Sequence, residues 1–424
     1  MKWTRRIANA FRSEPATRPR PGLIAAKRAE DSVRDYPSAG LTPSRLTAIL
    51  READDGSLSA SMQLFEEMEE KDAHLFSVAN TRRLAATGLA WDIVSAADMR
   101  DGLDKHRADE AAAYCREILF GLDTFDEVLQ HLSLAVGRNI AVAEMVWDFV
   151  QGSLRPVDVV PVDFTRIVFD DLDQLRILTS GNDRDGIEPP PHKFIVHTPH
   201  SVCGHPQRGG LMRVTAMVYL AKNLALKDWM IFSEIFGMPI RIARYQPSAT
   251  PEEKRELLNM LESLGSNAAA VFSQAIDLQV LDAKRVGGDA PYQKLIEFLN
   301  REMSKAWLGQ TLTTDITGQS GSVSASRVHE RVRQDVLTDD LRKEARTIRR
   351  DLLTPLTQLQ LGPDAPVPFF RRKLSRLGEP SEIAAVLDVA INQLGVEISD
   401  AWVREALGIP RPAAGEPALR RATA

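Results

Sequence analysis

Four histidines and a cysteine fall within fourteen residues, at His192, His197, His200, Cys203 and His205 in PPHKFIVHTPHSVCGHP. Imidazole nitrogen and thiolate sulfur are the usual donors of a tetrahedral zinc site, so this stretch carries the sharpest metal-binding signal in the chain. His197, His200, Cys203 and His205 are the candidate ligands. Against them, His192 and His197 lie five apart on a predicted strand and so point to opposite faces. The spacing matches no standard finger, and no second cluster accompanies it. The residues are therefore read as structural histidines with no bound metal and no cofactor. A metal-binding protein or enzyme using His192–His205 is the alternative.

Other chemistry fails on spacing. A phosphate loop needs G-x-x-x-x-G-K-[ST], whose amides cradle phosphate, and no such run occurs. Gly318-Gln319-Ser320-Gly321-Ser322 approaches a nucleophile elbow, but Ser322 stands where the second glycine belongs and a helix, not a strand, precedes it. The acid pairs Asp170-Asp171 and Asp339-Asp340 lack a companion histidine or metal scaffold and are read as solvated. Arg342, Lys343, Arg346, Arg349 and Arg350 alternate with Asp339, Asp340, Glu344 and Asp351. They either pair with those acids or a neighbouring subunit, or meet DNA phosphate. Trp91, Trp147, Trp229 and Trp307 sit in apolar patterns, which points to core packing before base stacking. No catalytic residue is assigned.

The elements that would carry these residues are mostly helical, giving an α+β fold class. Thr42–Glu52 reads as a short helix. Ser59–Thr87 reads as one longer helix, with apolar Met62, Leu64, Phe65, Met68, Leu75, Val78 and Leu84 opposite a glutamate-rich face. Helices over Ala108–Phe120 and Thr124–Ala135 lead into short alternating runs that read as half-buried strands: Val142–Val150, Val157–Val160, Arg166–Phe169, Leu175–Leu178 and Lys193–His197. Beyond the turn-rich GHPQRGG the pattern changes to long helices, Leu211–Phe236 and Ala290–Leu308. Between them lie strand, helix and strand over Ile240–Tyr245, Thr250–Leu264 and Ile276–Val280. The polar segment TLTTDITGQSGSVS separates Leu308 from a last long helix, Ala325–Leu361, in which Pro355 should make a kink.

Bulk properties narrow the class. The chain has 424 residues, too many for one ordinary core. Its net charge of −5 excludes binding duplex DNA by bulk attraction. Residues 1–40 hold nine Lys/Arg against four Asp/Glu, among prolines, and read as an extended basic arm or a tail without a partner. A DNA-binding adaptor using that arm is a third reading. Leu211–Phe236 is interrupted by Arg213, Lys222, Lys227, Asp228 and Glu234, so no membrane span is expected. With only Cys115 and Cys203, no disulfide framework is implied and a reducing cytosol fits.

Several ordered blocks resemble the portal proteins of Mu-like tailed phages. They are YPSAGLTPSRLTAILREADDG, LFEEMEEKDAHLFSVANTRRLAATGLAWDI, VAEMVWDF, HKFIVH…GHPQRGGLMR, DWMIFSEIFGMPIRIARY and TDITGQSGSVSASRVHERVRQD. The resemblance runs from about residue 36 to 410. It implies an arm over 1–40, an α/β wing over 41–210, a first stem helix over 211–236 and a clip over 237–289. A second stem helix over 290–310, a tunnel loop over 311–324, a long kinked helix with a return to the wing over 325–376, and a helical crown and tail over 377–424 would follow. The implied function is a homo-oligomeric ring, usually twelvefold, at one capsid vertex of the virion, assembled in the host cytoplasm. Its partners would be double-stranded DNA, the terminase large subunit, capsid and scaffold proteins, and the head-tail connector. Thr313, Thr314, Thr317, Gln319, Ser320 and Ser322 would then line the channel. Arg241, Arg244, Lys254 and Arg255 would contact terminase or adaptor, or simply face solvent.

Overall fold

The structure is a computed structural model. It describes residues 38, 40–150, 152–201, 203–237, 240–244, 250–263, 277–281, 290–311, 323–373, 380–407 and 409. The chain forms two units, residues 1–371 and 372–424.

In the first unit, helix α1 (Pro43–Asp54) starts where Thr42 caps the Arg45 amide and Pro43 occupies the first turn. The helix expected over Ser59–Thr87 is two helices, α2 (Ser59–Lys71) and α3 (Ala73–Thr87). Asp72 makes the break. Its backbone is extended and its carboxylate accepts from the amides of His74 and Leu75, starting a new helix at a new angle.

Strand β1 (Trp91–Val94), α4 (Lys105–Phe120), α5 (Phe125–Ser133) and the single turn α6 (Ala135–Arg138) follow. Next come β2 (Ala141–Val150), β3 (Ser153–Pro161), β4 (Ile167–Phe169), β5 (Leu175–Thr179), β6 (Asn182–Ile187) and β7 (Phe194–His197). They form two antiparallel sheets, ordered β3-β2-β7 and β4-β5-β6.

The first sheet divides the core. Val142, Phe194 and Val196 face one cluster, built on α1, α2 and α3. Ala141, Ala143, Met145 and Ile195 face a second, built on α4 and α5. Period-two alternation thus points apolar residues to both sides, because both faces are covered.

Two long helices rise from the first cluster, α7 (Leu211–Gly237) and α9 (Ala290–Leu308). Met212, Ala216, Tyr219 and Leu220 of α7, with Met303, Trp307 and Leu308 of α9, are part of that core. Between them lie β8 (Ile240–Arg244), α8 (Pro251–Ser263) and β9 (Asp277–Leu281), with β8 and β9 paired antiparallel. Thr250 and Glu253 form a reciprocal capping box at the start of α8.

Helix α10 (Val323–Ile348) is followed by a π-helical turn, Arg349–Leu353, and by α11 (Thr354–Leu361). The interruption expected at Pro355 falls in the turn before it. Proline has no amide to close the regular ladder, and the Thr354 amide reaches back to the Arg349 carbonyl instead. Strand β10 (Phe369–Arg372) pairs with β1.

The second unit holds α12 (Pro380–Asp388), a π turn over Val389–Gln393, and α13 (Asp400–Leu407).

Candidate functional site

The histidine cluster comes apart in three dimensions. Asn139 sets its framework. This fully buried residue is left-handed (φ 62°) at the end of α6, a conformation asparagine tolerates better than most. Its side-chain oxygen accepts from the His200 amide at 2.5 Å, while its amide nitrogen donates to the Pro206 carbonyl at 2.6 Å and to Ser201 Oγ at 3.2 Å. The loop is therefore pinned by its backbone, leaving each imidazole to find its own partner.

Those partners differ. His197 is buried at the end of β7 and shares a 2.9 Å hydrogen bond with Thr347 Oγ1 on α10. Burial pushes its pKa down to about 4, against the opposing pull of Asp340. His200 Nδ1 lies 3.1 Å from Lys343 Nζ, and its Nε2 stands 3.6 Å from Asp340. His205 pairs with Asp173 at 2.7 Å, and Cys203 is exposed. His192 is not on the strand but in the preceding turn, left-handed at φ 59°, with its carbonyl accepting from the Trp147 indole. Among the described residues no three His, Cys, Asp or Glu side chains gather to hold a metal. The metal-binding alternative gains no support from this geometry.

Asp340 corrects an expectation. Read as solvated, it is buried between helices and takes a two-pronged ion pair from Arg82, 2.8 and 3.0 Å. Burial alone would raise its pKa, but the adjacent His200 and Arg82 outweigh that and hold it below the ordinary carboxylate range. Asp339 is the solvent-facing member of the pair, bonded to Lys343 at 2.6 Å. Arg350 pairs with Asp351, and Arg349 stacks on Phe369 and donates to the carbonyls of Val367 and Pro368. These contacts favour the ion-pairing reading of the basic helix, with Arg342 and Arg346 left facing outward. Cys115 offers no nucleophile: it is buried in the second core and its thiol is pushed up to about 11.

The long helix pair is the more telling feature. α7 and α9 run antiparallel, with Phe232 beside Tyr292 far from the sheet. Near the sheet their facing residues are buried. Met217 is exposed on the far side of that root, and further out Leu224, Met230 and Ile231 on α7, with Leu295 and Phe298 on α9, stand exposed. Met230 is 72% exposed. Lys254 and Arg255 are exposed on α8, while Arg241 and Arg244 lie on β8 with side chains outside the described set. The polar segment carrying Thr313, Thr314, Thr317, Gln319, Ser320 and Ser322 also lies outside the described residues, as does the basic arm up to residue 37.

Two residues that hold this arrangement escaped the sequence reading. Lys222, taken only as a charge that interrupts an apolar helix, forms a buried 2.7 Å pair with Asp72, joining α7 to the start of α3. Arg82, further along α3, forms a buried pair with Asp340 of α10. A lone lysine in an otherwise apolar helical stripe was the one available signal; its partner was not legible.

This mainly helical α+β architecture is the phage portal fold. A chain from the virion of a native gene transfer agent particle matches it with TM-score 0.53 at 14% identity, over 86% of this chain and 93% of that one. A chain from the neck of an empty gene transfer agent particle matches with TM-score 0.56, also at 14% identity, over 83% and 93%. The chain belongs to the family described as portal protein of Mu bacteriophage, which matches residues 62–409. It is 31% identical over 389 residues to the portal protein of Escherichia phage Mu, covering 90% of this chain and 74% of that protein. To the Mu-like prophage FluMu protein gp29 of Haemophilus influenzae it is 29% identical, covering 91% and 74%. It is accordingly a structural portal protein and not an enzyme. Among the described residues no helix is long and apolar enough to cross a membrane.

Proposed function

We propose that copies of this chain close into a ring, twelvefold by family likeness, at one capsid vertex of the virion. The ring conducts double-stranded DNA during packaging and ejection and docks the terminase large subunit, then the head-tail connector. In this reading residues 41–210 are a wing against capsid and scaffold proteins. α7 and α9 are the stem, β8–α8–β9 the clip, residues 311–324 the tunnel loop, and 377–424 the crown and tail. Assembly takes place in the host cytoplasm.

The observation that carries this is the apolar outer surface of α7 and α9. Met217, Leu224, Met230, Ile231, Leu295 and Phe298 are large and exposed on two packed helices. Large apolar side chains left exposed in such number mark an interaction site, and a symmetric set of copies covers them without leaving one face over. The C6 symmetry used for the neck containing one of the fold's relatives supports a ring of repeats.

The chemistry of passage fits as well. A channel that grips phosphate strongly would stall its cargo. Thr313, Thr314, Thr317, Gln319, Ser320 and Ser322 offer weak, neutral hydrogen-bonding groups in a chain of net charge −5. Arg241, Arg244, Lys254 and Arg255 would be the contacts of the clip with terminase or adaptor.

The first test is the mass of the purified protein with negative-stain images of the same sample. A large ring with a central hole is expected. A homogeneous monomer that stays monomeric when scaffold protein is added would overturn the reading. Deleting Gly318–Ser322 should leave the ring intact and reduce DNA packaging or retention; loss of the ring would count against the loop's assignment.

A further inference from the structure

Arg82 uses three of its donors on two different helices. Nε and Nη2 engage both oxygens of Asp340, in the second half of α10, at 2.8 and 3.0 Å. Nη1 donates to the main-chain carbonyl of Trp307, in the last turn of α9, at 2.8 Å. That carbonyl is among the four that a helix C-terminus leaves without an intrahelical partner. The side chains of Arg82 and Asp340 are only 10% and 7% exposed, so water competes poorly for either bond.

The same corner is closed in other ways. Gly309, just past α9, is left-handed at φ 68°, and a Cβ there would stand 2.9 Å from Val332 Cγ1 of α10. His74, two turns before Arg82 on α3, bonds Ser304 Oγ on α9 at 2.8 Å. Among the described contacts, α3 thus holds the end of α9 through His74 and Arg82 and reaches α10 through Arg82.

We infer that Arg82 is a positioning residue that clamps the end of α9 to the second half of α10, and so sets where the chain leaves α9, just before residues 312–322. A planar five-donor fork can hold carboxylate and carbonyl together, which makes arginine the fitting residue here. The clamp stands on the described residues alone. Its consequence for DNA passage rests on the function proposed above.

Hydrogen exchange read by mass spectrometry on the full-length protein tests it, with wild type, Arg82→Gln and Asp340→Asn compared in the same assembly state. Arg82→Gln is expected to speed exchange about tenfold both at residues 305–311 and along α10, since it releases both partners. Asp340→Asn is expected to loosen α10 alone, because the Arg82–Trp307 bond survives. α4 and α5 should keep wild-type exchange in both. The inference fails if Asp340→Asn leaves α10 unchanged, if it loosens the end of α9 equally, or if α4 and α5 loosen to the same extent. Should Arg82→Gln not fold, Asp340→Asn still decides. Ring mass, measured on the same samples, tests the proposed function separately: a monomer with the expected exchange pattern would sink the ring and keep the clamp.

Discussion

Strand β2 buries Val142 toward one core and Ala141, Ala143 and Met145 toward another, so both of its faces are satisfied within one chain. Helices α7 and α9 begin the same way, with Met212, Tyr219, Met303 and Trp307 fully covered, and then expose Leu224, Met230, Leu295 and Phe298 further out. The apolar character is similar along the whole pair; the company changes. Burial of apolar side chains stabilises by about 25 cal/mol per Å², so the root of each helix contributes to folding, while its outer part would contribute only on association, under the proposed ring.

The comparison breaks first at the root. Trp307 is wholly buried between the long helices and α6. Trp307→Ala should destabilise the subunit by about 3–5 kcal/mol, seen as a lower denaturant midpoint at unchanged slope. A loss below about 1 kcal/mol would mean that the root is not part of the folding core.

Acidity acts on the sheet side. His197 ends β7 and its pKa is pushed down to about 4, from an ordinary value near 6.5. Because the folded state resists protonation, its contribution is fully present above about pH 6.5 and is lost as pH falls to 4. The size is on the order of 3 kcal/mol. His131, half-buried beside the Val142 carbonyl, is lowered likewise to about 4 by desolvation and adds to the same slope. Denaturant unfolding from pH 7.5 to 4.5 should therefore show falling stability, and His197→Gln should make the fall shallower. An unchanged slope in that variant would place the titration elsewhere.

Much of the fold could be read from pattern alone, and the misses have a common cause. α7, α9 and α10 announce themselves by long apolar periodicity and end at Gly237 and Gly309 or at the Pro355 disturbance. The break at Asp72 was invisible because strong helix formers flank it and capping depends on a backbone turn that the pattern does not encode. β6 was missed because NDRDGI has no apolar alternation. It is held by Asn182, whose side chain bonds the Asp185 and Gly186 amides and the Gly186 carbonyl. The ordered portal-like blocks made the function legible, but the residues joining the parts were not. Arg82 and Asp340 lie 258 positions apart, and neither carries a local signal of the other. The histidines show the converse: closeness in sequence did not become closeness of side chains, in keeping with their reading as structural residues.

The outer part of α7 gives the smallest change in the subunit and the sharpest test of the comparison. Met230 packs against little of its own chain, so Met230→Asp should alter subunit stability by less than about 0.5 kcal/mol. If this face meets a neighbouring copy, the same change buries a carboxylate without a partner at every contact around the ring, and the penalties accumulate over all of them. The expected result is a subunit with wild-type unfolding that no longer assembles, measured by solution mass across a concentration series. Charge repulsion between whole subunits would respond to salt, whereas an unpaired buried carboxylate would not be rescued by it. Assembly that survives Met230→Asp, with unfolding unchanged, would show that the Met230 side of α7 stays in solvent and would move the search for the subunit contact to the Leu224 side of α7 and to α9.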